Sequence, residues 1–148
     1  MTSTAPGRDA IDAALARRYP GVRPHHQPMA PATAGGLHGC SAYRTTTHWH
    51  FVTYGLSELG GKSPDDDPDF SGWGFELTLR IPAEEPMPTW PIDVLRRAAQ
   101  HVNSRGVLLE PGHRVDLGDT GTLTVAADPD LGVIDTPNGQ VQFLLIEQ

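Results

Sequence analysis

The chain of 148 residues carries 11 Lys and Arg against 18 Asp and Glu, a formal net charge of -7. That length supports one domain with a real core and leaves little for a second. The acidic balance argues against nucleic acid or an anionic membrane as the main partner, and sixteen Gly with fourteen Pro point to many turns and short elements. Cys40 is alone, so no internal disulfide can form and the chain suits a reducing compartment. Residues 1–7 have no apolar h-region and read as a flexible N-terminus rather than a signal. The longest apolar run near the end, Phe143-Leu144-Leu145-Ile146, is far too short for a membrane span. A cytoplasmic protein is expected, with neither membrane nor nucleic acid as partner.

In chain order, residues 8–19 are predicted helical, with Ile11, Leu15 and Tyr19 on one stripe and Pro20-Gly21 as the stop. Residues 22–39 read as a loop, broken by Pro24, Pro28, Pro31 and Gly35-Gly36. A short strand over 40–44 then leads into His48-Trp49-His50-Phe51-Val52-Thr53-Tyr54, whose β-formers make it a strand that stops at Gly55. Alternation places His48, His50, Val52 and Tyr54 on one face and Trp49, Phe51 and Thr53 on the other. Residues 62–70 form an acidic loop. Beyond it, residues 75–81 make a strand with Phe75, Leu77, Leu79 and Ile81 inward and Glu76, Thr78 and Arg80 outward. These two strands are expected to be neighbours in the sheet.

A loop over 82–88 ends at Thr89-Trp90-Pro91, where proline suits the first turn of a helix. Ile92, Leu95, Ala98, Ala99 and Val102 mark the helix over 91–104, which Gly106 ends. Strands follow over 114–117, 121–127 and 140–146, with Asn138-Gly139 as a tight turn. The expected class is α+β: one domain over 1–148, a mixed and mostly antiparallel sheet packed with two main helices.

Several stretches resemble sites, and each has a plainer explanation. His48 and His50 project from one strand face and could ligate a metal, with His101 or His113 as a third ligand. No HExxH or Cys/His cluster supports that, so hydrogen-bonded buried histidines are the stronger reading, and no metal or cofactor is expected. Asp65, Asp67, Asp69, Ser71, Trp73 and Glu76 mimic calcium-loop spacing. Phe70 stands where the glycine belongs, so a solvated acidic loop is expected instead. Ser57 sits in a failed nucleophile elbow, with Leu59 in place of the second glycine. Gly72-Trp73-Gly74 lacks the rest of a dinucleotide fingerprint. Trp49 suits a core, whereas Trp73 and Trp90, beside loops, suit a core or a binding surface equally. Arg96 and Arg97 read as a solvated helix face. No catalytic residue is assigned.

Taken in order, HWHFVTYGLSEL, GWGFELTLRI, PTWPIDVLRRAAQHV and DTPNGQVQFLLI resemble the suppressor of fused family over residues 10–146. The family-motif positions are His48, Trp49, His50, Tyr54, Gly55, Glu58, Gly74, Phe75, Glu76, Pro91, Thr136, Pro137 and Gly139. The resemblance implies a mixed α/β domain that binds another protein without catalysis. It is to the short bacterial members, for which an immunity-type role beside toxin systems is the usual proposal, and the second domain of animal members is not expected. Two peptide-contacting positions of the animal branch, Tyr and Asp there, correspond to His101 and His113. Those histidines, with the neighbouring Trp90 and Trp73, are the expected partner-binding residues. The rivals are a metal-assisted hydrolase centred on His48 and His50, and a domain that only oligomerises.

Overall fold

The computed structural model describes residues 5–60 and 69–148. The elements are α1 (Pro6–Arg18), β1 (His25–Pro28), β2 (Gly39–Arg44), β3 (His48–Tyr54), β4 (Phe70–Pro82), α2 (Trp90–Arg105), β5 (Arg114–Asp116), β6 (Thr122–Ala127), β7 (Val133–Thr136) and β8 (Gly139–Glu147). All eight strands join one sheet of order β1-β2-β3-β4-β8-β6-β5, with β7 also on β8. The β4–β8 pair is parallel and the other pairs are antiparallel. The expected α+β class and the pairing of β3 with β4 both hold.

Alternation sorts the strands' side chains onto two faces, each covered by one helix. Trp49, Phe51, Leu77, Leu79 and Ile146 pack with Leu95, Ala98, Ala99 and Val102 of α2. Val52, Tyr54, Val141 and Phe143 pack with Ile11, Leu15 and Tyr19 of α1. A fully buried Leu or Phe contributes about 1.5–3 kcal/mol, so both helices are held mainly by such stripes. Gly106 ends α2 in the left-handed region (φ 65), its N–H donating to Val102 O at 2.8 Å. On the solvent side Arg96 and Arg97 both pair with Asp93.

The second face corrects one expectation. Glu76 and Thr78, expected to face outward, are fully buried, because the chain after β3 wraps Glu76 and the turn after β6 covers Thr78. A polar residue on a strand marks a solvated face only when nothing else covers it.

Other differences concern boundaries. Pro6 and Gly7 belong to α1 rather than to a flexible terminus, while residues 1–4 lie outside the described residues. A Cβ on Gly7 would come within 1.9 Å of the Glu58 carbonyl oxygen, so only glycine fits there. The N–H groups of Gly7 and Arg8 donate to Leu59 O at 3.1 and 3.2 Å, which satisfies two of the helix's orphan donors. Residues 22–39 contain β1 and a 3-10 turn at Pro31–Thr33. All four residues of β1 are exposed, so no alternation announced it. β4 begins at Phe70, five residues early, because the ladder continues through a bulge between Phe70 and Phe75. Gly72 and Gly74 carry the positive φ it needs, 56° and 84°. Asp65, Asp66 and Asp67 of the expected acidic loop lie outside the described residues.

Candidate functional site

β6 and β7 lie end to end along the same side of β8, pairing with Leu144–Glu147 and Gly139–Gln142 respectively. Asp128-Pro129-Asp130-Leu131 interrupts them, and Asp128 is folded inward by its own turn. Its Oδ1 accepts the N–H groups of Asp130 and Leu131 at 2.8 and 3.1 Å. Its Oδ2 faces His50 Nε2 at 2.7 Å and accepts the Thr78 hydroxyl at 2.5 Å. On the other side of the ring, His50 Nδ1 lies 2.5 Å from the Tyr19 hydroxyl. Burial alone would raise the Asp128 carboxyl, but hydrogen bonds from His50 and Thr78 hold it down at about 2. An ionised Asp128 makes Nε2 the protonated nitrogen, so Nδ1 accepts from Tyr19. Burial pushes the Tyr19 hydroxyl up to about 12, so it stays a donor.

Around this buried line sits a half-exposed rim. Arg18 and Arg80 donate to the two Asp130 oxygens at 3.0 and 2.7 Å, and Arg80 also reaches the His48 ring at 3.2 Å. Partial burial and the adjacent Arg80 lower the His48 pKa. Donor atoms of His48, His50 and Asp130 come within 4.8 Å of one another. The residue completing this trio is therefore Asp130, and neither His101 nor His113. The space between the imidazoles already holds the Tyr19 hydroxyl, 3.3 Å from His48 Nε2. Two guanidinium groups already neutralise Asp130. The donor set fits this internal network better than a divalent cation, which would have to displace all three groups.

The family-motif residues outside this network tie loops to strands. The Glu76 carboxylate accepts from the hydroxyls of Thr53 and Ser57 at 2.8 and 2.6 Å, and from the N–H groups of Gly55, Leu56 and Ser57 at 3.0, 3.2 and 3.0 Å. Burial pushes its pKa up, and the Ser57 and Gly55 hydrogen bonds pull against that. Ser57 is thereby committed to a carboxylate rather than to a base that could activate it, and Glu76 has no oxygen to spare for a calcium loop. Asn138, in the turn formed by Thr136, Pro137 and Gly139, donates to the carbonyls of Glu58 and Gly60 at 3.0 and 2.6 Å. Phe75 and Pro91 are buried, and the Trp49 indole N–H donates to Glu84 O at 2.9 Å.

The expected binding residues sit elsewhere and are spread out. Trp90 opens α2 and is 44% exposed. His101 lies eleven residues later, about 16 Å along the axis at 1.5 Å per residue, and is half-buried. Trp73 is half-buried, with its indole N–H donating to Asn103 Oδ1 at 3.0 Å near the end of α2. His113 is exposed and immediately precedes β5, its Nδ1 accepting the Glu110 N–H at 3.2 Å. The far end of α2 thus carries His101 on one side and holds Trp73 through Asn103 on another, the chain between α2 and β5 carries His113, and Trp90 stands apart. Among the described residues β5 pairs only with β6, which leaves one side of it open. Val125 donates to His113 O, and Leu117 donates to Gly121 O. Odd-numbered residues therefore face β6, and the N–H and C=O groups of Arg114 and Asp116 point outward.

Comparison with known proteins agrees with the motif resemblance. The family model described as Suppressor of fused protein (SUFU) matches residues 35–146. The human and mouse Suppressor of fused homologs are each 32% identical over 116 residues, covering 67% of this chain and 24% of theirs. The chain thus spans about a quarter of the length of these curated relatives. The Sufu-Fu complex crystal structure contains a chain superposing with a TM-score of 0.85 at 29% identity, over 97% of this chain and 75% of that one. Drosophila Suppressor of Fused gives 0.84 at 30% identity, over 97% of this chain and 42% of that one. A putative SUFU homolog from Neisseria gonorrhoeae, at 12% identity and 0.63 over 95% and 76% of the two chains, shares the fold. With its motifs in order, its sheet matched and three quarters of its length covered by the family model, the chain belongs to the suppressor of fused family.

Proposed function

We propose that this chain is a non-enzymatic binding module that captures a peptide or protein segment at the end of α2 and along β5. The open side of β5 is the observation that carries this reading. Arg114 and Asp116 offer backbone donors and acceptors to an incoming strand, and His113 stands exposed at the entrance. Imidazole can donate or accept, so His113 and His101 suit pairing with a peptide's backbone. Trp73, held at the far end of α2 by Asn103, supplies aromatic area on that side, and Trp90, at the other end of the helix, offers a second, exposed ring. A relative crystallised in a Sufu-Fu complex supports a protein as the kind of partner.

The setting in this reading is cytoplasmic, with an immunity-type role beside a toxin. Among the described residues no helix is long and apolar enough to cross a membrane, and the net charge of -7 disfavours nucleic acid. The metal-assisted hydrolase is the weaker reading, because His50 is fully buried and both its nitrogens are already bonded. A pull-down with mass spectrometry, using the wild-type chain and a His113→Ala variant side by side, tests the proposal. One partner retained by the wild type and lost by the variant is expected. A substrate turned over by the purified chain would overturn it.

A further inference from the structure

Two depressions in the surface share one wall. The first, about 280 Å³, lies between Trp73 and Phe75 of β4 and Leu108 and Leu109 beyond α2. The second, about 440 Å³, lies between Asp69 and Asp135, and Phe70 lines both. Pockets for small molecules start at roughly 300 Å³ and enclose most of the ligand. The first depression is smaller and mostly apolar, which fits one or two side chains better than a metabolite. Phe70 and Leu108 leave 49% and 59% of their surface in water at its rim, a cost that a partner's apolar group would remove.

One part of the lining is held in place by the fold itself. Trp73, within the bulge of β4, packs against the core, and Asn103 of α2 accepts its indole N–H. Preformed walls of this kind cost little to order on binding. Among the described residues, the charged groups lining the two depressions are acids, with Glu110 in the first and the exposed Asp135 in the second. The first depression also adjoins the open β5 edge, since the His113 N–H donates to Glu110 O at 3.1 Å.

We infer that these joined depressions dock a partner's peptide segment in which a large apolar or aromatic anchor stands next to Lys or Arg. The anchor enters between Trp73 and Leu108, and the cation lies on the Asp135 side of Phe70. A second copy of this chain is a poor occupant, because its own charge of -7 would be repelled. The inference rests on the reading of the chain as a peptide-binding module and adds the chemistry of what it takes.

Three fluorescein-labelled peptides of equal length serve as probes: a Trp-Leu anchor flanked by Lys and Arg, the same anchor flanked by Glu, and basic flanks around Gly-Ser. Fluorescence anisotropy with the whole chain should detect binding of the first alone, weakened by added salt. Leu108→Asp and Asp135→Lys should each weaken it about ten-fold. Both positions are exposed, and an unchanged melting temperature would verify that each variant still folds. Backbone N-methylation of the first peptide separates the slot from strand addition. Loss through Leu108→Asp with N-methylation tolerated keeps the slot and removes the β5 reading. Loss on N-methylation with Leu108→Asp tolerated does the reverse. Equal binding of the acidic or anchorless peptide, or binding of none, overturns the inference.

Discussion

The face of the sheet beneath α1 and the open end beyond α2 use the same kinds of residue in opposite circumstances. Beneath α1, His50, Thr78 and Asp128 are at most 1% exposed, and each polar group has its partner within hydrogen-bond distance. At the open end, His113 is in water, Leu108 is 59% exposed and β5 has an unpaired side. A histidine in a family motif is thus no more a site than any other well-bonded core residue. What the proposed binding surface offers is polar and apolar capacity left unused around β5.

The sharpest way to break this contrast is to remove an acceptor from the buried side. Glu76→Ala leaves two hydroxyls and three N–H groups without their carboxylate. We expect a loss of about 3–5 kcal/mol in urea unfolding. A loss below about 1 kcal/mol would mean that water replaces the carboxylate freely and that the site is not architectural.

Asp128→Asn should come next. The carboxyl is held below its ordinary 3.8, at about 2, so ionised Asp128 stabilises the fold by about 2 kcal/mol through linkage. Because the folded pKa is the lower one, that stabilisation is complete above the unfolded value. It is lost as pH falls through the folded one. Urea titrations should therefore show the variant weaker at pH 7, with the gap closing between about pH 4 and pH 2. A gap independent of pH would refute the charge argument.

The open end should respond in the opposite manner. His101→Ala and His113→Ala should each weaken partner binding by about 1–2 kcal/mol in calorimetry, with little change in melting temperature. A collapse of the fold in either variant would move that histidine to the structural side of the comparison. The smallest effect is expected from zinc. Added metal should neither bind stoichiometrically by elemental analysis nor shift the melting temperature, and a His48→Ala/His50→Ala variant should not differ from the wild type in metal content. Stoichiometric zinc lost in that variant would return the hydrolase reading.

Much of the scaffold was legible because it follows simple periods. The Phe75, Leu77, Leu79 alternation and the Leu95, Ala98, Ala99, Val102 stripe both led to the right elements on the right side of the sheet. Two kinds of feature escaped. β1 and β7 are short and largely exposed, so no apolar pattern marks them. The partners of His50 were hidden for a different reason: Asp128 is 78 residues away and reaches it only because a turn breaks the β6–β7 line. The Asp128-Pro129-Asp130 run signals that turn, but nothing local says which residue lies across the sheet. At the proposed binding end, the motif resemblance supplied His101 and His113. Phe70 and Leu108 did not stand out in the sequence as surface groups, because a strand-end aromatic or a short apolar run such as Val107-Leu108-Leu109 looks the same whether covered or bare.

The parallel pairing of β4 with β8 has a consequence for how the chain is made. β1 through β4 form successive antiparallel neighbours as they emerge, but residues 70–82 then wait for residues 139–147 before their second edge is filled. Throughout that interval the nascent chain presents an unpaired, apolar strand edge, and α1 lacks the Val141 and Phe143 side chains it packs against. Contacts this distant in sequence close slowly, and open edges recruit other chains. Synthesis of this domain therefore favours a ribosome that does not pause between α2 and β8, or a holdase that covers β4 until its parallel neighbour arrives.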